Sequence, residues 1–307
     1  MAKLIVIGEA LIDFIPDSKG SLAQVRSFEK CPGGGPANVG AAASKFGVES
    51  MIITMLGQDG FGDYLAKEIR KAGIDDRAVL RTNEANTGLA FVSDSDNADV
   101  EYLFYRNPAA DMLLSAEDIR EDWFEPGDIL HFCSVDLVDA PCRGAHDRAI
   151  EIARAKGCLI SFDVNLRPPL WEDLNELKEV VLRYIPKADI VKVNDEELAF
   201  LGKVEAPHLL ITLGREGAQY LGGGLDVHAE GFDVPLVNTT GAGDTFIGTF
   251  LAHCIQGRDF LGSEAQCADV LRFCNAAAAI VVGRPGALGA MPTRDEVREF
   301  LEAHAGG

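Results

Sequence analysis

The stretch Val234-Pro-Leu-Val-Asn-Thr-Thr-Gly-Ala-Gly-Asp-Thr-Phe246 reads as a strand, a turn of small residues and then a helix. Phe246, Ile247, Phe250, Leu251, Cys254 and Ile255 share one helical face, so the helix starts near Gly241. Gly241, Ala242 and Gly243 carry almost no side chain, which lets the first free N–H groups of the helix approach an anion closely. The helix dipole favours negative charge at the same place. Such a turn suits a phosphate. Asp244 stands in the first turn of that helix, where a carboxylate either accepts a proton from a hydroxyl or simply complements the dipole.

Outward from this turn the chain alternates. Short apolar runs at 4–7, 50–56, 128–132, 158–162, 190–193 and 209–213 read as buried strands, and helical patterns at 38–46, 62–72, 143–155 and 173–185 lie between most of them. Strands alternating with helices imply right-handed crossovers and a mainly parallel sheet covered on both faces, an α/β fold in three layers. Two stretches break the pattern. Residues 14–30 and 87–106 alternate polar and apolar side chains, and the turn-rich Ser93-Asp-Ser-Asp-Asn97 joins two runs within the second. They read as a small β-sheet off the body, which serves either as a lid or as a plain edge hairpin. No repeat or linker divides residues 1–307, so a single domain is expected.

The composition narrows the function. With 28 Lys and Arg against 48 Asp and Glu the formal net charge is −20, which repels nucleic acid and anionic membranes. Seven cysteines form no C-x-x-C pair and no zinc-like cluster with the six histidines, as expected of free thiols in a reducing compartment. The N-terminal segment meets Glu9 and Asp13 too early for a signal peptide, and no apolar run of roughly 18 residues stands out as a membrane span. A cytoplasmic protein is the expectation. No G-x-x-x-x-G-K-[ST], G-x-G-x-x-G, G-x-S-x-G or H-E-x-x-H occurs, which removes P-loop, dinucleotide, serine-hydrolase and zinc-protease signatures.

A second glycine-rich element, Cys31-Pro-Gly-Gly-Gly-Pro-Ala-Asn-Val-Gly40, precedes another small-residue helix. Backbone at 33–35 can lie against a ligand, and Asn38 offers a donor and an acceptor to sugar hydroxyls; tight helix packing would explain the same glycines. Asp13 is a further candidate for gripping a polyol, or a solvated turn carboxylate.

With Gly8-Glu-Ala-Leu-Ile-Asp13, Gly33-Gly-Gly-Pro-Ala-Asn38, Asn194-Asp-Glu-Glu197 and Gly241-Ala-Gly-Asp244 in this order, the chain resembles the ribokinase-like, or PfkB, family of carbohydrate kinases. Phe104-Tyr-Arg-Asn-Pro-Ala-Ala-Asp-Met-Leu-Leu114 and Phe162-Asp-Val-Asn-Leu-Arg-Pro-Pro-Leu-Trp171 are most similar to its fructokinases. The resemblance implies a ribokinase-like fold with a small β lid, ATP and a sugar as ligands, and phosphoryl transfer to fructose. Related kinases of 2-keto-3-deoxygluconate, ribose or nucleosides remain open, as does a non-catalytic binding protein.

Residue by residue, the resemblance makes Asp244 the base and the N–H groups from Gly241 through Ala242 and Gly243 the anion hole. Asp13, Gly34 and Asn38 fall at the sugar, with Arg106 and Arg167 near the sugar or the transferred phosphate; on composition alone either arginine is also an ordinary ion-pair residue. Asn194 and Glu197 fall at the Mg²⁺ and phosphates, Glu197 acting on the metal through water. Thr212, Gly214 and Gly217 border the nucleotide, and Asn275 lies toward adenine. The family's activating K⁺ is put in question by Asn238, which replaces an aspartate. The connection at 202–208 is shorter than the family's and is expected to expose one sheet face or free it for contacts, and the resemblance permits a homodimer through the lid strands.

Overall fold

The computed structural model describes residues 2–94, 100–237, 239–284 and 286–304. In chain order the strands are β1 Leu4–Ile7, β2 Leu11–Pro16, β3 Phe28–Gly33, β4 Ser50–Gly57, β5 Ile74–Thr82, β6 Leu89–Asp94, β7 Val100–Tyr105, β8 Ile129–Cys133, β9 Leu159–Asp163, β10 Ile190–Asn194, β11 His208–Thr212, β12 Ala218–Gly222 and β13 Leu225–Ala229. The α-helices are α1 Gly35–Lys45, α2 Gly60–Lys71, α3 Pro141–Lys156, α4 Leu174–Tyr184, α5 Asp195–Leu201, α6 Ala242–Gln256, α7 Glu264–Val282 and α8 Arg294–Ala303. Among the described residues, the larger sheet has nine strands in the order β13-β12-β11-β10-β9-β8-β1-β4-β5. Its neighbours pair in parallel from β11 to β5, and β12 pairs antiparallel with both β11 and β13.

Strand β1 shows why the sheet is covered on both faces. Its four residues are all fully buried, and alternate side chains go to opposite sides: Leu4 and Val6 join one core, Ile5 and Ile7 the other. The first core includes side chains of α1, α2, α6, α7 and α8, the second those of α3, α4 and α5. Residues 202–207 run without a helix from α5 into β11, yet Val204 is buried in the second core, so the short connection still covers that face.

The smaller sheet has the order β3-β2-β6-β7. Strand β2 pairs antiparallel with β3 and parallel with β6, so this sheet is mixed. Its strands occupy 11–16, 28–33, 89–94 and 100–105, set slightly differently from the alternating stretches read in the sequence. Within the turn-rich Ser93-Asp-Ser-Asp-Asn97, positions 95–97 lie outside the described residues.

Two expectations are corrected. Residues 234–237 form no strand: Pro235 lacks an N–H, Leu236 and Val237 are largely exposed, and the Val237 N–H bonds instead to the carbonyl of Val282 at the end of α7, 2.8 Å away. Helix α7 is also long and apolar enough to cross a membrane by length and composition, with a mean hydropathy of 1.4. Asp269 and Arg272 hide that run when the sequence is scanned for uninterrupted apolar residues. In the fold Cys267, Leu271, Cys274, Ala277 and Val281 are buried in the core that α6 also enters, so the apolarity is core packing.

Candidate active site

The parallel strands of the large sheet and the first turns of α1 and α6 open onto one cleft of about 970 Å³. Open α/β sheets bind ligands at the carboxyl ends of their strands. Glu9 follows β1, Asp13 stands within β2 of the smaller sheet, Asn165 and Arg167 follow β9, and Asn194 and Thr212 end β10 and β11, all lining this space. Tyr102 and Phe104 of β7 line it from the smaller sheet.

Two glycines are required by the backbone. Gly34 precedes α1 at φ +109°, where an added Cβ would lie 2.4 Å from the Glu9 carbonyl oxygen. Gly241 precedes α6 at φ +83°, and its Cβ would lie 2.9 Å from that of Ala287. Both N-cap residues are glycines with no side chain to cap their helices, and at α6 the Ala242 N–H bonds to the Thr239 carbonyl at 3.3 Å. The Glu9 carboxylate partly takes over at α1, accepting from the Gly35 N–H at 2.8 Å.

The Asn38 Nδ2 donates to Asp244 Oδ2 at 2.9 Å, joining the two glycine-rich elements across the chain. Asn38 Oδ1 is buried and has no protein partner, an acceptor left for a ligand hydroxyl. Burial pushes the Asp244 carboxyl above its ordinary range, against the pull of the Asn38 hydrogen bond and of Lys192 and Arg167. Burial pushes Asp13 up to about 7 despite Arg167, with Asp244 adding to the rise. Burial likewise pushes Glu9 up to about 8, helped by Asp136 and opposed by Arg106.

Below the anion turn stands Lys192, a residue the sequence reading missed. Its Nζ donates to both oxygens of Asp163, at 2.9 and 3.0 Å, and lies 3.1 Å from where a Cβ on Gly243 would be. Burial pulls the ammonium down, but Asp163 and Glu197 outweigh it and leave its pKa raised, so it is a cation. The signal was present: a lysine inside Ile190-Val-Lys-Val193 is out of place in a buried strand unless paired. Asn165 was also missed; it takes φ +40° and its Oδ1 accepts from Arg167 Nη1 at 2.7 Å, fixing that guanidinium.

Asp13, Gly34, Asn38, Arg167, Asn194, Glu197, Thr212, Gly214, Gly217, the Gly241–Ala242–Gly243 turn, Asp244 and Asn275 all line the one cleft. Asn194 and Glu197 form a reciprocal capping box on α5, with Glu197 Oε2 accepting from the Asn194 N–H at 2.9 Å and Oε1 from the Leu166 N–H at 2.8 Å. Asn275 Nδ2 donates to the carbonyls of Ala229 and Glu230, holding the loop before Gly231. Arg106 is the exception. It is buried behind the cleft, its guanidinium bonded to Asp111 and Asp136, because a charge at that depth must be neutralised by local carboxylates. Asn238 lies outside the described residues, so the potassium question stays with the sequence.

An anion turn, a carboxylate beside it and polar groups for a polyol define a phosphotransferase that acts on a sugar hydroxyl. Residues 1–294 match the model of the pfkB family of carbohydrate kinases, and the chain belongs to that family. It is 40% identical to the probable fructokinase-3 of Arabidopsis thaliana, over 97% of this chain and 91% of that one. The fructokinase of Xylella fastidiosa with bound ATP superposes with a TM-score of 0.90 at 31% identity, covering 99% of this chain and 100% of that one. The fructokinase of Vibrio cholerae O395 in its fructose, ADP and calcium form gives 0.87 at 29%, covering 98% and 99%.

Proposed function

We propose that this kinase transfers the γ-phosphate of ATP to fructose, giving fructose 6-phosphate and ADP. The observation that carries the reading is the Asn38–Asp244 hydrogen bond of 2.9 Å, which puts a sugar-type hydrogen-bonding group and the base at one point beside the anion turn. The sugar hydroxyl gives its proton to Asp244 as its oxygen bonds to the γ-phosphorus. The bond from that phosphorus to the bridging oxygen breaks, and ADP leaves with the electron pair. Such transfers depend on positioning and charge neutralisation. The N–H groups of Gly241, Ala242 and Gly243 and the Lys192 ammonium serve the transferred phosphate, Asp13 and Asn38 hold the sugar, and Arg167 stands between them. Thr212, Gly214, Gly217 and Asn275 border the nucleotide.

The donor set suits Mg²⁺ carried on the nucleotide. Among the described residues no three His, Cys, Asp or Glu side chains gather as a cage, while each Glu197 oxygen has one N–H partner and lone pairs to spare for water. Asn194 and Glu197 would hold the hydrated ion, which neutralises phosphate charge when bound.

The smaller sheet is the lid of this single-domain kinase, and its outer side, where Leu103 is 45% and Tyr105 60% exposed, is the surface we assign to a homodimer. Seven free, buried cysteines accord with a reducing cytoplasm. The test is ADP production from MgATP with fructose, ribose, 2-keto-3-deoxygluconate, glucose, adenosine and no acceptor. Turnover confined to fructose is expected; a clear preference for another acceptor would overturn the substrate.

A further inference from the structure

Asp244 and Asn165 meet over one face of Gly35, a glycine half open to the cleft. Asn165, two residues past β9, takes φ +40°, a left-handed turn that asparagine tolerates, and the Ser134 hydroxyl donates to its carbonyl at 3.3 Å. The way its amide faces is fixed, because Arg167 can only donate and its Nη1 lies 2.7 Å from Asn165 Oδ1. Asn165 Nδ2 is thereby turned to Gly35, 3.0 Å from where a Cβ on that glycine would be. Asp244 Oδ1 stands 3.6 Å from the same point, and all three residues line the cleft. The other Asp244 oxygen, Oδ2, is taken by Asn38 at 2.9 Å, while among the described residues neither Asp244 Oδ1 nor Asn165 Nδ2 has a hydrogen-bond partner. Glu9 Oε1, 3.5 Å from the point, already accepts from the Gly35 N–H.

A free acceptor and a free donor over one small space call for a group that both gives and takes a hydrogen bond. A hydroxyl does so, whereas an ionised phosphate only accepts and an ammonium only donates. We propose that the sugar hydroxyl to be phosphorylated sits between these two atoms and that Asn165 is a further catalytic residue, its Nδ2 donating to the hydroxyl oxygen while Asp244 Oδ1 takes the proton. One lone pair of that oxygen is then held by the amide, and the other is left to attack the γ-phosphorus, from which ADP departs with the electron pair. The same donor stabilises the negative charge that builds on the oxygen as its proton leaves.

This inference rests on reading the cleft as a sugar-kinase site, but it concerns the hydroxyl and not which sugar carries it, so the variants are assayed with the best acceptor of the ADP-production panel. Asn165→Asp keeps an oxygen for Arg167 and loses the donor; Asn165→Gly suits φ +40° and loses the donor without adding charge. On the high-pH plateau both are expected to lose about 10-fold or more in kcat, the scale of one hydrogen bond, with the KM for MgATP unchanged. In the Asp244→Asn background Asn165→Gly should cost much less, because two groups on one oxygen act as a unit. A loss in Asn165→Gly alone would assign the effect to Arg167, and a loss in Asn165→Asp alone to its added charge. Either result, like full kcat in both variants or losses that add to that of Asp244→Asn, would overturn the proposal. Preference for an acceptor other than fructose would overturn the substrate reading and leave the Asn165 test standing; no turnover with any acceptor would overturn both.

Discussion

Asp244 takes its character from neighbours that are remote in sequence. Burial raises its pKa, so as a base it works only once deprotonated, and kcat should fall as the pH drops through a value above the ordinary carboxylate range. A pH profile of kcat checks the sign, and Asp244→Asn should abolish that acid limb while lowering turnover by about 10²-fold or more. Near-normal turnover in this variant would remove Asp244 from the role. Asp13, pushed up by burial to about 7, should make the KM for the sugar rise below that pH, where its carboxyl loses its acceptor charge. Arg106 carries a different expectation from the one its place in Phe104-Tyr-Arg106 suggests. Arg106→Ala strands Asp111 and Asp136 in the interior, so it should cost about 3–5 kcal/mol of stability in denaturant unfolding. A loss confined to sugar KM, with stability intact, would return Arg106 to the substrate.

At the scale of elements, α1 and α6 reach the site because small residues let the chain turn tightly before each. Gly34→Ala puts a Cβ against the Glu9 carbonyl and forces a residue at φ +109°, so a loss of at least about 1–3 kcal/mol is expected in thermal unfolding, with sugar binding weakened because Asn38 moves with the helix. Unchanged stability would show that the turn can relax. Both turns were legible in the sequence, since glycine runs before apolar helical faces have a direct physical reading. The supposed strand at 234–237 was not, because apolar residues look alike whether they enter a sheet or cross the end of a helix; the Val237 to Val282 hydrogen bond exists only once α7 is in place.

For the whole molecule, the lid presents an aromatic outer surface. Phe14 stacks on Phe91 at 4.7 Å, Phe28 and Tyr105 meet Phe91 edge-on, and Leu103 stands exposed on the same strand as Tyr105. A dimer mass by sedimentation is expected, and Leu103→Glu with Tyr105→Glu should give the monomer mass while leaving the cleft-facing Tyr102 and Phe104 in place. A monomer in the unaltered chain would show that a charge of −20 keeps this surface apart.

Taken alone, the sequence determined the layered α/β fold, the two glycine turns and most of the residues around one cleft. Period-2 and helical patterns and glycine turns are local consequences of backbone sterics, and motifs in a set order carry the family. Only the tertiary structure decided which charges reach the cleft. Lys192 under Gly243, Arg106 behind it and Tyr102 across it depend on β10, on the Asp111–Asp136 pair and on the lid meeting in space. The energy of a charge or a hydroxyl is set by burial and by its partners, and neither is a property of neighbouring positions along the chain.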